Sequence, residues 1–567
     1  MAATTLMLAT ALCVALLPRP LLVAADPPPT PGGMVATGHP LATEAGVEVL
    51  RAGGNAIDAA VAAALTLGVV DGYNSGIGGG CFILIRRADG ELLAIDGRET
   101  APAAAHPDMF LVDGGADTSL SQSGPLASGT PGALAAYAMA IEQAGSRPLA
   151  ELLQPGIRHA DEGFEVDAGF VARVASVALT LRQYEGSRAL LFDAEGRPLR
   201  PGALLRQPDL AETYRGIADH GPDHFYRGPV AARIGEWMHE HGGLLTAGDF
   251  AGYQAQAREP VRSTYRGHEV IGFPPPSSGG VHVAQILHIL ESFDLAALQD
   301  QPAAWVHLVA EAMKLAFADR AHWLGDPDFF PVPKGLIDPD YAAGLAVRID
   351  PDRASEVAGH SMPPDWEDHV FERHTTHLSV ADADGNWVAI TATINTSFGS
   401  KVIVPGTGVV LNNEMDDFSI QPGVPNHFGL VGSEANKVEA GKRPLSSMSP
   451  TLVLDPDGRP LLSVGAAGGP TIISQAVLAV IGIIDFDLTL AQALAQPRFH
   501  HQWLPTTLRI EQAWDASIRE GLEARGHELQ PVNSMGRSQA VLLDARGHWH
   551  GAADPRGNGR AAGPEPD

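Results

Sequence analysis

The spacing of hydrophobic residues changes character about two thirds of the way along the chain. In the first part apolar residues recur at helical intervals, most clearly over 42–70, where Gly53-Gly54 interrupts the pattern, and from 151 to about 298. A further apolar helical face consists of Val306, Val309, Met313, Ala316 and Phe317. The charged residues of that same helix are expected to form a solvated or structural face: Glu311, Lys314, Asp319 and Arg320.

Strand-type runs are few in the first part and dominate the last third. Residues 82–85 and 92–95 flank Asp89-Gly90 and predict a hairpin, with Arg98 just beyond its second strand. Strands are also predicted at 402–411, 451–454 and 461–464, and helices at 472–483 and 488–494. A helical first half and a strand-rich second half predict an α/β (α+β) fold with sheets sandwiched between helical layers.

The segment HTTHLSVADADGNWVAITATIN, residues 374–395, predicts a second hairpin, because an Asp-Gly pair separates two β-type runs. A three-residue loop with Gly385 in the left-handed conformation would place Thr375 opposite Thr393. A two-residue loop would place Ile394 there instead.

Thr375 is a candidate nucleophile if the chain is cut before it. A threonine hydroxyl alone is a poor nucleophile, but a free α-amine on the same residue supplies a general base. The alternative is that Thr375 and Thr376 merely begin an ordinary strand.

The chain has 567 residues, a formal net charge of −28 and 45% hydrophobic residues, as in a large acidic globular protein. Nucleic-acid binding requires a basic surface, which these charges do not supply. Cys13 and Cys81 are the two cysteines, so the sequence predicts neither a disulfide framework nor a zinc site. Cys81 is expected to be a small buried strand residue. No metal or cofactor is predicted.

The N-terminus reads as an export signal over residues 1–25, since the apolar run LMLATALCVALL is followed by small residues before Asp26. The alternative is an uncleaved membrane anchor, but the run before Pro18 is short for a span. A periplasmic or secreted product is therefore expected. Cys13 is not preceded by the small residue of a lipoprotein signal, because Leu12 stands there.

Longer stretches carry a family resemblance. TTHLSVADADGN, GTGVVLNNEMDDFS, GKRPLSSMSPTLVL and LLSVGAAGGPTII resemble the γ-glutamyltransferase family, self-processing members of the N-terminal nucleophile hydrolases. Earlier matches follow the family order: MVATGHPLATEAGVEVLRAGGNAIDAAVAAALTLGVV, SGIGGGCFIL, DGRETAP, FPPPSSGG and EAMKLAFADR. The resemblance implies a four-layer αββα fold. It also implies cleavage into a large chain, 26–374, and a small chain, 375–567, that interleave and stay associated.

The resemblance also assigns substrate contacts. Arg98, Ser446 and Ser447 match positions that bind the α-carboxylate of a γ-glutamyl group, and a guanidinium with hydroxyl donors is chemically suited to that task. The matches for the α-ammonium are Asn395, Glu414 and Asp417, with Asp417 rather than Asp416 as the ligand. The alternative for Arg98 is a salt bridge, and for the two acids a solvated loop. Asn412 and Asn413 are interpreted as turn or backbone-supporting residues.

The catalytic roles follow from the same matches. The Thr375 hydroxyl would attack the γ-carbonyl, Thr393 would orient it, and the backbone N–H groups of Gly468 and Gly469 would stabilise the oxyanion. During maturation Thr375 would attack the carbonyl of His374. Water or an amino acid or dipeptide would then resolve the γ-glutamyl ester, and glutathione is the family's usual donor. His374 and His377 are interpreted as maturation or packing residues.

A lid is predicted over 422–435, where turn-forming residues are frequent. Phe428 stands where bacterial relatives often have a tyrosine, so an aromatic cover is expected without the hydroxyl contact. The glycine run SGIGGG lacks the spacing of a nucleotide loop and is interpreted as a packing feature. The alternatives are a cephalosporin-acylase-like amidase for glutaryl side chains, and an inactive γ-glutamyl-binding protein.

Overall fold

The computed structural model describes residues 28–364, 377–421 and 423–564. The predicted export signal, His374 and Thr375 lie outside the described residues. Within those three ranges, no helix combines the length and the apolar character that a membrane crossing requires.

The strands are β1 (Gly33–Thr37), β2 (Gly80–Arg86), β3 (Leu92–Gly97), β4 (Leu111–Val112), β5 (Gly115–Ala116), β6 (Phe164–Glu165), β7 (Leu204–Leu205), β8 (Gln256–Arg258), β9 (Val261–Tyr265), β10 (His268–Gly272), β11 (Leu378–Asp382), β12 (Trp387–Thr393), β13 (Thr451–Leu454), β14 (Pro460–Ala467), β15 (Phe499–His500), β16 (Leu508–Glu511), β17 (Leu529–Val532), β18 (Arg537–Leu543), β19 (Trp549–Ala553) and β20 (Arg560–Ala562).

The α-helices are α1 (Pro40–Arg51), α2 (Ala56–Val70), α3 (Thr118–Gln122), α4 (Ala133–Ala144), α5 (Leu149–Leu152), α6 (Gln154–Glu162), α7 (Ala168–Ser176), α8 (Ala178–Leu181), α9 (Glu185–Leu191), α10 (Pro208–His220), α11 (Asp223–Tyr226), α12 (Pro229–His241), α13 (Ala247–Gly252), α14 (Gly279–Leu290), α15 (Pro302–Trp323), α16 (Pro339–Ala346), α17 (Thr471–Ile484), α18 (Leu490–Ala495) and α19 (Ala516–Ala524). Turns of 3₁₀ helix span Pro125–Ala127, Ala296–Leu298, Lys334–Ile337, Glu414–Asp417 and Glu434–Asn436.

Two antiparallel sheets form the centre of the molecule. One has seven strands in the order β20-β1-β11-β12-β2-β3-β8, and the other has six in the order β19-β18-β14-β13-β10-β9. Both sheets combine strands from before and after residue 375. In the first sheet, β11 and β12 lie between β1 and β2.

The side chains of β2 show how the layers are built, because successive residues of a strand point to opposite faces. Phe82 and Leu84 enter the core between the two sheets, where they join residues such as Trp387 and Trp549. Ile83 enters a separate core that the first sheet shares with α1, α2 and α4. The second sheet packs its outer face on α14 and α17. The predicted four-layer αββα sandwich is thereby confirmed.

The hairpin β11–β12 has the three-residue loop. Leu378 pairs with Ile390 and Ala381 with Trp387, the Asp382 amide donates to the Asn386 carbonyl at 3.2 Å, and Gly385 has φ +92°. The two-residue alternative, with Ile394 opposite Thr375, is therefore wrong as far as the described pairs extend. Continued by three residues, this register places Thr375 opposite Thr393, which stays a prediction.

The predicted strand over 402–411 is wrong. This segment forms one isolated bridge, between Ile403 and Val410. Gly406 and Gly408 have φ of +73° and +66°, so the chain turns where a strand would have to continue. The glycines interrupt an otherwise β-prone run.

The region 151–298 is less helical than predicted, because β8, β9 and β10 lie within it. β9 and β10 form a hairpin around Arg266-Gly267, with Val261 and Tyr265 buried and intervening residues more exposed. The alternation in VRSTYRGHEVIG was therefore the signal of a strand pair. Cys81 lies buried in β2, as predicted.

Candidate active site

One cavity of about 350 Å³ gathers most of the predicted site residues. Its walls include Thr393, Asn395, Glu414, Asp417, Ser446, Ser447, Gly468 and Gly469. Arg98 is completely buried and does not line the cavity. Residues from four distant stretches of sequence thus meet at the ends of β12 and β14.

The end of β12 places Thr393 and Asn395. The Thr393 hydroxyl accepts a hydrogen bond from the Asn395 amide at 2.8 Å, and Asn395 adopts φ +72°, which asparagine tolerates better than most residues. A Cβ on Gly79 would lie 1.8 Å from the Thr393 carbonyl oxygen. The glycine run around Gly79 therefore allows close packing behind Thr393, as predicted.

Glu414 and Asp417 lie on one 3₁₀ turn, and the Arg98 guanidinium contacts both carboxylates from behind. Arg98 also lies 3.5 Å from Glu99, so three buried carboxylates surround one guanidinium. Burial raises the pKa of Glu99 to about 7 and that of Glu414 well above its ordinary range. Glu414 Oε2 is buried and has no hydrogen-bond partner among the residues that the structure describes. The cluster has one cation for three acidic groups, and a ligand ammonium would supply a second.

Asp416 and Asp417 point to different places. Asp417 lines the cavity, whereas Asp416 accepts hydrogen bonds from the Ser121 hydroxyl at 2.6 Å and the His427 amide at 2.9 Å. Asn412 bonds the backbone of Gly78 and Gly129. The backbone-supporting interpretation of Asn412 is confirmed.

The motif FPPPSSGG holds the serine side of the cavity. The Ser278 hydroxyl donates to the Ser446 carbonyl at 2.6 Å, and the Ser277 hydroxyl donates to the Met448 carbonyl. A Cβ on Gly279 would lie 2.1 Å from that same Met448 oxygen, so the two segments approach too closely for a larger residue. Ser446 and Ser447 are thus fixed against α14.

Arg320, which the sequence analysis assigned to a solvated or structural helix face, instead lines the cavity. It lies near the end of α15 and donates to Ser278 Oγ at 2.9 Å and to Ser447 Oγ at 3.1 Å. Burial lowers its pKa to about 10, and no acid within the described ranges forms an ion pair with it. The EAMKLAFADR match was the available signal, but periodicity alone cannot show that a helical arginine faces a cavity.

The diglycine follows β14 directly and precedes α17. Gly468 and Gly469 have φ of +142° and +59°, which non-glycine residues rarely adopt. In the described part of the chain neither amide N–H has a backbone acceptor. Both amides also lie close to the positive end of the α17 dipole. The arrangement suits stabilisation of an oxyanion.

The lid segment covers this diglycine. Phe428 lines the cavity, and a Cβ on Gly469 would lie 2.6 Å from Phe428 Cδ1. Asn426 Nδ2 lies 3.4 Å from Asp417 Oδ1, which connects the segment to the acidic side. The predicted aromatic cover is therefore in place, with Pro422 outside the described residues.

Outside the cavity, His307, Glu311 and His527 bring ligand-type atoms within 4.8 Å of one another. Their donors and acceptors already have partners: His307 contacts His527 at 2.7 Å and the Asp350 carbonyl at 2.8 Å, and Glu311 accepts from Lys314 at 2.6 Å. An ammonium so close to the carboxylate opposes a metal cation. We therefore assign the cluster to packing, and the charged face of α15 is structural rather than solvated.

Comparisons with known proteins agree with this geometry. A family model described as gamma-glutamyltranspeptidase matches residues 42–564. The glutathione hydrolase proenzyme of Escherichia coli (strain K12) is 44% identical over 530 residues, covering 92% of this chain and 90% of that protein.

Two solved structures are also similar. Cephalosporin acylase from Bacillus halodurans has a TM-score of 0.85 at 29% identity and covers 98% of this chain and 100% of its own. The gamma-glutamyltranspeptidase of Helicobacter pylori has a TM-score of 0.56 at 39% identity, covering 56% of this chain and 92% of its own.

The stacked sheets and the cavity at their strand ends define an N-terminal nucleophile hydrolase fold. Within that class, the chain belongs to the γ-glutamyltranspeptidase family.

Proposed function

We propose that the protein is a self-processing γ-glutamyltransferase that cleaves the γ-glutamyl amide bond of glutathione and related compounds. The observation that carries the proposal is that the cavity wall offers both kinds of polar partner. It is lined by Arg320, Ser446 and Ser447 and also by Glu414 and Asp417. An α-carboxylate and an α-ammonium on the same carbon need both a cationic or hydroxyl donor and an acidic acceptor.

The chemical steps use the residues already placed. The Thr375 hydroxyl attacks the γ-carbonyl, its α-amine takes the proton, and the amides of Gly468 and Gly469 stabilise the oxyanion. Losing one such donor costs about 2.7–4 kcal/mol of barrier. The leaving amine departs with a proton. Water then releases glutamate, or an amino acid or dipeptide takes the γ-glutamyl group.

Maturation uses the same hydroxyl. Thr375 Oγ1 attacks the carbonyl carbon of His374, the peptide C–N bond breaks as the ester forms, and water hydrolyses the ester. Chains 26–374 and 375–567 result and remain associated as a heterodimer, since each of the two central sheets contains strands from both chains.

Arg98 is proposed to act on the α-carboxylate, as the sequence resemblance implies. Among the described residues, the hydrogen bonds and ion pairs of its guanidinium are with Glu99, Glu414, Asp417 and the Pro444 carbonyl. Entry of a substrate ammonium beside Glu414 would weaken the hold of the acids on Arg98. Arg320, hydrogen-bonded to Ser447, lines the cavity directly beside the two serines.

Residues 1–25 are proposed to be an export signal that is removed before Asp26, which gives a periplasmic or secreted enzyme. N-terminal sequencing of the large chain from the producing cell would show Asp26 first. A large chain that still begins at Met1 would contradict this assignment.

The substrate assignment is tested with two anilides, one γ-glutamyl and one glutaryl, which differ by the α-ammonium. Hydrolysis of the γ-glutamyl anilide is expected, with the glutaryl anilide at least tenfold poorer in kcat/KM because Glu414 and Asp417 then lack a partner. Preference for the glutaryl compound would favour the cephalosporin-acylase alternative, which the similarity to the Bacillus halodurans structure supports.

A further inference from the structure

The cavity contains a second polar surface that the donor contacts leave unused. It consists of Asn74, Arg173, Ser534, Gly536 and Arg537. Arg537 begins β18 and pairs with Ala467, the residue before the diglycine. A Cβ on Gly468 would lie 3.0 Å from Gly536 Cα, whereas Gly469 faces Phe428 of the lid. The second surface therefore adjoins Gly468, on the side of the diglycine away from the lid.

The two arginines of this surface have no ion-pair partner among the residues that the structure describes. Arg173 is exposed and Arg537 is partly buried. Asp71 is the acid whose charge acts on both guanidiniums, but its two oxygens accept hydrogen bonds from Asn74 Nδ2 at 3.1 and 3.0 Å. In a chain of net charge −28, two unpaired guanidiniums on one cavity wall point to an anionic ligand.

The helix that carries Arg173 and the strand that carries Arg537 both contact the loop at Gly557 and Asn558. Asp167, which caps the N-terminus of α7, accepts hydrogen bonds from the Phe170 amide at 2.6 Å and from the Asn558 side chain. Next to Asn558, Gly557 lies against Arg537, since a Cβ there would be 2.7 Å from Arg537 Cδ. The helix that carries Arg173 and the strand that carries Arg537 are thus tied to the same loop.

We propose that Arg173 and Arg537 form a carboxylate subsite for the group on the far side of the scissile bond. The inference rests on the proposed function, because the scissile carbonyl is placed at the diglycine. In hydrolysis the subsite binds the terminal carboxylate of a dipeptide leaving group, which an extended pair of residues carries about 7 Å away. In transfer it binds the carboxylate of the incoming amino acid or dipeptide. Guanidinium groups recognise carboxylates through paired N–H donors.

The subsite makes donor specificity depend on the leaving group. Glutathione ends in a carboxylate beyond the scissile bond, whereas a γ-glutamyl nitroanilide carries no charge there. The two donors share every contact with the γ-glutamyl part. Loss of the arginines should therefore weaken one donor and spare the other.

The test compares Arg173→Gln, Arg537→Gln and the double variant with the wild type on both donors. Arg200→Gln is the matched control, because Arg200 is exposed, lies outside the cavity and loses the same charge. We expect kcat/KM for glutathione to fall at least tenfold in the double variant, chiefly through KM. Hydrolysis of the nitroanilide should stay within twofold, which also shows that the variants fold.

Acceptors provide a second readout. With the nitroanilide as donor, wild-type transfer to glycylglycine should exceed transfer to glycylglycinamide, and the double variant should lose that difference. Equal losses on both donors, or an unchanged KM for glutathione, would overturn the subsite while leaving the proposed function intact. A wild type that turns over neither donor would instead overturn the proposed function, and the subsite with it.

Discussion

Asp416 and Asp417 are neighbours in the chain, yet one carboxylate reaches the cavity and the other turns away. Asp417 lies beside Glu414 and Arg98, and Asp416 is held by Ser121 and the His427 amide. The difference arises because the 3₁₀ turn over Glu414–Asp417 separates adjacent side chains by roughly a third of a turn.

Asp417→Asn is expected to raise KM for a γ-glutamyl anilide at least tenfold, because the ammonium loses a charged partner. Turnover of a glutaryl anilide, which has no ammonium, should change little. Asp416→Asn is the matched control and keeps a side-chain acceptor for Ser121. If the two variants raise KM equally, Asp417 has no special role in recognition.

At the residue scale, the sequence motifs named residues that line one cavity, among them Thr393, Asn395 and Asp417. Their roles in catalysis and binding stay predictions. Arg98 and Arg320 differ from expectation because ion pairing depends on acids brought close by folding. The three carboxylates around Arg98 come from two segments more than 300 residues apart, as Arg98 and Glu414 are 316 positions apart.

The hairpin β11–β12 connects the residue scale to the sheets. His377, just before β11, contacts Ser379 Oγ at 2.6 Å and Thr391 Oγ1 at 3.3 Å, and Ser379 contacts Ser463 on β14 at 2.8 Å. Burial lowers the pKa of His377 to about 3, so it is neutral in this position. This chain of contacts holds the strand that begins close to Thr375.

Gly465→Ala tests that link, because the added Cβ would lie 2.4 Å from His377 Nδ1. We expect a loss of about 1–3 kcal/mol in the free energy of unfolding and slower cleavage of the precursor, since His377 must shift. Gly344→Ala serves as the control. It lies in α16 with nothing within 4 Å of the new Cβ and should be stabilising by about 0.4–1 kcal/mol. If Gly465→Ala keeps wild-type stability and cleavage, the packing of His377 against Gly465 contributes to neither.

Helices and strands could be predicted from the sequence where the hydrophobic periodicity extends over many residues or where an Asp-Gly pair marks a turn. The helices within 42–70 and the hairpin loop at Gly385 are of this kind. The strand expected over 402–411 failed because two glycines adopt left-handed conformations there, and residue type alone does not reveal φ. β9 and β10 were missed because their short alternation lies within a long helical region.

At the scale of the whole molecule, contacts across residue 375 join the two parts of the chain. Besides the mixed sheets, His307 on α15 contacts His527 beyond α19 at 2.7 Å. Burial lowers the pKa of His527 to about 3, and His307, His501, Lys314 and Arg525 oppose its protonation as well. Glu311, 2.6 Å from Lys314, is the acid of the cluster.

This depressed pKa predicts a dependence of stability on pH. Below about pH 6.5 the unfolded chain protonates His527 while the folded chain does not, so stability present above that pH is lost as the pH falls toward 3. Between about pH 6 and pH 5, wild type should lose up to about 1.4 kcal/mol per pH unit more than His527→Asn. Urea unfolding followed by fluorescence measures the difference. Parallel losses in both proteins would contradict the assignment.

The central claim is that residue 375 becomes the N-terminus of a small chain and the nucleophile of the enzyme. Intact-mass analysis and N-terminal sequencing of the purified protein test it most directly, with Thr375→Ala as the companion. The account predicts two chains in the wild type, the smaller beginning Thr375-Thr376-His377, and one uncut, inactive chain in the variant. An active wild type that remains a single chain, or a small chain that begins elsewhere, would contradict it.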